Sequence, residues 1–156
     1  MMIPTPANPR VLEAMSQLFV SFPHCATLGF EYVGTDGRKP TLKLQWREDL
    51  VGNPATGIIH GGVITSLVDT CSAIAVTAHL PSIETIATLD LRIDYLKSAT
   101  PGKAIHCTAE CYRLASQIAF TRAVCYHDNP ADPIAHGVAT FMRESSRTPM
   151  LQEAQP

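Results

Sequence analysis

The hydrophobic rhythm of this chain changes twice. Residues 10–22, RVLEAMSQLFVSF, place Val11, Leu12, Met15, Leu18, Phe19 and Phe22 at i, i+3, i+4 spacing. That spacing predicts an amphipathic helix, which Pro23 closes. Two short strands are predicted next, LGFEYVGT over 28–35 and TLKLQW over 41–46, joined by the turn-rich DGRKP. In the second, Leu42, Leu44 and Trp46 share one face, and Thr41, Lys43 and Gln45 the other. Over 61–80 the helical period returns, with Ile64, Leu67, Val68, Cys71, Ile74, Ala75 and Ala78 in one stripe and Pro81 at the end. Many residues of this segment are β-branched and poor helix formers, yet it is too long for a strand. Such a helix must be held by packing, so it is predicted to be central.

Beyond it the period becomes two. In IATLDLRIDYL over 86–96, Ala87, Leu89, Leu91, Ile93 and Tyr95 alternate with Thr88, Asp90, Arg92 and Asp94. Further strands are predicted over 103–114, 117–127 and 133–143, separated by turns at 98–102, 115–116 and 128–132. Connections this short favour antiparallel neighbours. The order of helix, two strands, long helix and four strands is that of an α+β protein. The 156 residues make one domain, with its core over about 28–143 and residues 145–156 as a frayed tail.

Composition narrows the function classes. A net charge of −2 and a pI near 6.3 give no basic field for nucleic acid or anionic lipid. No run of eighteen or more apolar residues is present, so no membrane span is expected. The N-terminal MMIPTPANPRVLEAM lacks the layout of a signal peptide. Cys25, Cys71, Cys107, Cys111 and Cys125 are odd in number and show no zinc or redox spacing, so a reduced, cytoplasmic protein is expected. The six histidines show no metal-ligand spacing, and neither a GxSxG elbow nor a phosphate-binding glycine loop occurs.

Candidate chemistry gathers in GIIHGGVITSLVDT, residues 57–70. Gly61 and Gly62 open the long helix, where glycine permits unusual backbone angles and close approach. The first N–H groups there have no intrahelical partner and could hold a developing oxyanion. Tight helix packing explains the same glycines. Asp69 lies about 160° from the centre of the apolar stripe, at about 100° per residue. It shares its face with the small residues Gly62, Thr65, Ser66, Ser72 and Ala73. This fits a catalytic carboxylate or a structural one. His60 stands just outside the helix, and nine residues of rise, about 13 Å, separate it from Asp69. If both act on one substrate, Asp69 must come from a second copy of the chain.

At this point NPATGIIHGGVITSLVDT, residues 53–70, resembles the signature of the hotdog-fold thioesterases, specifically their phenylacetate-pathway (PaaI-like) branch. The resemblance covers the element order from about residue 28 to 143. It implies a long central helix wrapped by a single antiparallel sheet of about five or six strands, with an N-terminal helix. It further implies hydrolysis of acyl-CoA thioesters in a homodimer or dimer of dimers, with no cofactor beyond the coenzyme A of the substrate. By the same resemblance, Gly61 N–H polarises the thioester carbonyl, Asn53 and His60 orient it and the departing thiol, and Asp69 acts as general base or nucleophile. Thr88 aligns with a hydroxyl residue that positions the water in some relatives. Asn53 stands seven residues before His60, where many relatives have six. Thr88 also shares strand parity with Asp90 and Arg92, and simple alternation turns it away from the helix. Gly62 and Ser66 border the expected substrate path. Coenzyme A phosphates could meet Lys97, Lys103 or Arg113, whose charges ordinary surface exposure also explains. Two alternatives share the fold: a non-catalytic acyl-CoA binder, and an enoyl-CoA hydratase or dehydratase.

Overall fold

The computed structural model describes residues 9–80 and 84–143. Its centre is helix α3 (Gly61–Thr77), as the apolar stripe requires. Ile64, Leu67, Val68, Cys71, Ile74 and Ala75 are all buried. The helix is three residues shorter than the period suggested, and Pro81 lies outside the described residues. Around it curls one antiparallel sheet of six strands, the number and layout expected from the resemblance. The strands are β1 (Phe30–Thr35), β2 (Pro40–Leu44), β5 (Ile86–Tyr95), β6 (Ile105–Leu114), β7 (Ile118–Tyr126) and β8 (Ala135–Arg143). They lie in the order β1-β2-β6-β7-β8-β5, so β1 and β5 are the edges. A two-stranded ribbon of β3 (Val51–Asn53) and β4 (Ile58–Ile59) leads into α3. The helix sits close on the sheet at Gly137, where a Cβ would come within 2.5 Å of Val68 Cγ1.

Several local expectations need correcting. Helix α1 (Pro9–Ser21) buries Leu12, Met15, Ser16 and Phe19 but leaves Val11 and Leu18 exposed, as is Phe22 just beyond it, so its core face is narrower than the spacing implied. Pro23 closes α1 and also opens a second helix, α2 (Pro23–Leu28), because a proline at N1 has no N–H to leave unsatisfied. The first strand therefore starts at Phe30, and Trp46 lies beyond β2. Ser72 and Ala73 are buried, so they do not belong to the open face of α3.

The most consequential correction concerns Thr88. Strand β5 pairs with β8 so that Thr88 faces Phe141 while Asp90 faces Thr140, leaving Leu89 as one extra residue. This β-bulge inverts the parity on its two sides. After it, Leu91, Ile93 and Tyr95 face inward, as alternation predicts. Before it, Thr88 shares the inward side with buried Phe141, and Leu89 is 55% exposed. The bulge turns Thr88 toward α3. The tail 145–156 lies outside the described residues.

Candidate active site

The open face of α3 covers only its first turns. Gly61, Thr65, Ser66, Asp69 and Thr70 are half-buried and Gly62 is exposed, whereas every residue from Cys71 to His79 is buried. Strand β5 borders this strip on one side and α2 on the other. From β5, the Thr88 hydroxyl donates to Asp69 Oδ1 at 2.9 Å. From α2, His24 Nε2 lies 3.2 Å from Ser66 Oγ, and Cys25 Sγ lies 3.5 Å from Thr70 Oγ1. Ser66 Oγ itself donates to Gly62 O at 3.1 Å. If its only proton goes there, the His24 contact needs a proton on Nε2.

The start of α3 is built around His60. Its backbone is extended, and its Nδ1 accepts from Gly62 N–H at 2.9 Å, an N-cap made by an imidazole. An accepting Nδ1 carries no proton, so the neutral ring has its proton on Nε2. His60 O accepts from Val63 N–H at 3.0 Å. The Gly61 N–H is left as the first helix donor, without an intrahelical acceptor. Neither glycine adopts a left-handed backbone, which corrects the idea that the pair serves unusual angles. Space is what it supplies: a Cβ on Gly62 would stand 3.0 Å from His60 Nδ1, and one on Gly61 3.2 Å from Tyr95 Oη.

The other expected residues fall elsewhere. Asn53 Oδ1 accepts from Ala55 N–H at 3.0 Å, and its carbonyl accepts from Thr56 and Gly57, so the side chain shapes its own turn. Trp46 Nε1 holds the same loop through Gly57 O at 2.9 Å. Lys97 pairs with Asp132 and Lys103 with Asp128, while the Arg113 guanidinium lies 5.8 Å from the Phe120 ring centre. The structure thus brings Asp69 together with Thr88, and His60 with Gly61 and Gly62. No hydrogen bond or ion pair among the described residues joins Asn53, Lys97 or Arg113 to either group. Sequence reasoning missed His24 and Tyr95. Nothing adjacent in sequence marks His24, whose partner is 42 residues away. Tyr95 did carry a signal: an inward-facing phenol needs a hydrogen-bond partner.

The cysteines make poor nucleophiles. All five are buried free thiols. Burial pushes Cys111 up to about 11, and hydrogen bonding with Cys125 and Cys71 raises Cys107 well above the usual thiol value. Among the described residues no cluster of three or more His, Cys, Asp or Glu could hold a metal ion. Nor is any described helix long and apolar enough to cross a membrane.

Comparison with known proteins agrees with this geometry. The family model of the thioesterase superfamily matches residues 56–134. The medium/long-chain acyl-CoA thioesterase YigI of Escherichia coli K12 is 30% identical over 147 residues, covering 85% of this chain and 94% of the relative. A crystal structure of a Pseudomonas aeruginosa protein superposes with a TM-score of 0.77 at 42% identity, covering 85% of this chain and 99% of that one. The PaaI protein of the E. coli phenylacetic acid degradation operon shares the fold, with a TM-score of 0.75 at 17% identity over 88% of this chain and 96% of its own. A carboxylate on the open face of a central helix, an amide at that helix's start with no acceptor among the described residues, and these likenesses point one way: the chain belongs to the hotdog-fold thioesterase superfamily, whose chemistry is the hydrolysis of thioesters.

Proposed function

We propose that the protein hydrolyses acyl-CoA thioesters, with Asp69 of one copy facing the Gly61 amide of a second. The observation that carries this reading is the division of one helix into two half-sites. Asp69, with Thr88 on Oδ1, lies eight residues from Gly61, about 12 Å along the axis. A single carbonyl group cannot meet both within one chain. Strand β5 offers a means of bringing a second copy close. It is a ten-residue edge beside Asp69, unpaired on one side among the described residues, with Leu89 and Tyr95 half exposed. Open edges of this length readily pair with another chain. A homodimer, or a dimer of dimers, is the assembly proposed.

In the proposed reaction the carbonyl oxygen binds at the Gly61 N–H, with His60 Nε2–H as a second donor facing the sulfur or the carbonyl. The Asp69 carboxylate takes a proton from water, whose oxygen attacks the acyl carbon. The carbon–sulfur bond then breaks, and the leaving thiolate takes up that proton. Direct attack by the carboxylate, with later hydrolysis of the anhydride, uses the same groups. A thiolate leaves readily, so one carboxylate and a preorganised donor suffice without a cofactor. Coenzyme A enters as part of the substrate. The buried free thiols suit a reducing compartment, and the cytoplasm is proposed.

Medium- and long-chain acyl-CoAs, named for the E. coli relative, are the substrates to try first. A panel of acyl-CoAs should release free thiol with the purified protein. Asp69→Asn should lower kcat by about a thousandfold or more with the fold unchanged. Undiminished release by that variant would sink the mechanism. Binding without release would favour the non-catalytic binder, and hydration of an enoyl-CoA would favour the hydratase.

A further inference from the structure

Tyr95 makes contacts that a core tyrosine does not need. Its ring sits at the end of β5 and is half exposed. Its hydroxyl nevertheless donates to Gly61 O at 2.7 Å. Thr65 Oγ1 lies 3.1 Å from the same carbonyl and 2.9 Å from Tyr95 Oη, so its proton completes the triangle whichever oxygen it meets. On the opposite side of this peptide, Gly62 N–H donates to His60 Nδ1. The Gly61–Gly62 peptide is therefore gripped at its carbonyl by two hydroxyls and at its N–H by an imidazole. Both grips depend on glycine, because a Cβ at Gly61 would crowd Tyr95 Oη and one at Gly62 would crowd His60 Nδ1. Two successive glycines also make the segment the easiest part of the helix to twist, since neither has a Cβ to restrict φ and ψ.

We infer that Tyr95, assisted by Thr65, is a positioning residue for thioester hydrolysis. By fixing the Gly61–Gly62 peptide it sets the direction of the neighbouring Gly61 N–H and keeps the His60 ring in the orientation that turns Nε2–H outward. Without the hydroxyl the first turn can rock or flip, and a donor that must reorganise during reaction stabilises an oxyanion less well. This inference rests on the hydrolytic reading above and adds to it a residue that touches neither the substrate nor Asp69.

The test uses the full chain and three variants. Tyr95→Phe keeps the ring and removes only the hydroxyl. It should lower kcat about tenfold while KM stays within about twofold, the pattern of an interaction felt in the transition state. Thr65→Val should lower kcat about threefold, and Thr65→Ser should restore it. Amide exchange followed by NMR supplies a readout independent of turnover. In Tyr95→Phe, Gly62 N–H should exchange about tenfold faster, with the amides of Leu67 to Ala75 unchanged. Unchanged exchange at Gly62, or faster exchange with kcat intact, overturns the inference. Asp69→Asn assayed alongside separates the two ideas. Full turnover in that variant together with a slow Tyr95→Phe would remove Asp69 from the mechanism and leave the clamp standing.

Discussion

The two halves of α3 obey different rules. From Gly61 to Thr70, apolar residues face the sheet and small or polar ones face outward, so the helical period is visible and Asp69 stands out from it. From Cys71 to His79 every residue is buried, and the polar side has no counterpart in exposure. The first half keeps an open side, and the second is closed by packing. Conformational propensity serves neither half, since Val76 and Thr77 are as unfavourable in a helix as Val63 and Thr65. Tertiary contacts carry both halves, but only the first leaves room for chemistry.

This contrast can be broken by substitution. Ile74 is fully buried in the second half, and Ile74→Ala should cost about 3 kcal/mol of stability by cavity formation. Denaturant melts would register the loss, while kcat per folded molecule should stay close to wild type. In the first half the pattern should reverse. Thr88→Val should lower kcat about tenfold, because Asp69 loses its donor, yet change the denaturation midpoint little at so exposed a site. The smallest effect sharpens the packing rule. Ser72 Oγ is buried without a hydrogen-bond partner among the described residues. Ser72→Ala should then be neutral, or stabilising by up to about 1 kcal/mol. A clear destabilisation would mean that this hydroxyl has a partner, such as a buried water.

How much of this could be read from sequence follows from the same physics. The stripe of α3 and the run of four strands were legible because burial on one face imposes a period. Asp69 stood out because it interrupts one, and His60 and Gly61 because they stand where the helical period begins. The resemblance picked out Thr88, but alternation alone turned it the wrong way for want of one residue's register: the Leu89 bulge exists only in the pairing of β5 with β8, and no local pattern announces it. Ser72 and Ala73 were assigned to the open face because small residues tolerate both exposure and close packing, and only the neighbours decide. The contacts of Lys97 with Asp132 and of Arg113 with Phe120 were not legible, because turns and strand register place those partners. His24 lay in the unassigned stretch between Pro23 and the first predicted strand, so its contact across 42 residues could not be anticipated.

Subunit complementation shows whether one active site draws on two chains. Asp69→Asn lacks the carboxylate half-site and His60→Ala the cap at the helix start, so each alone should be nearly inactive. Co-expressed with different tags and purified through both, the mixed dimer should contain one site with both intact halves. It should recover about half of the wild-type kcat per dimer. Activity no higher than that of either parent, from a verified mixed dimer, would contradict a site shared between chains.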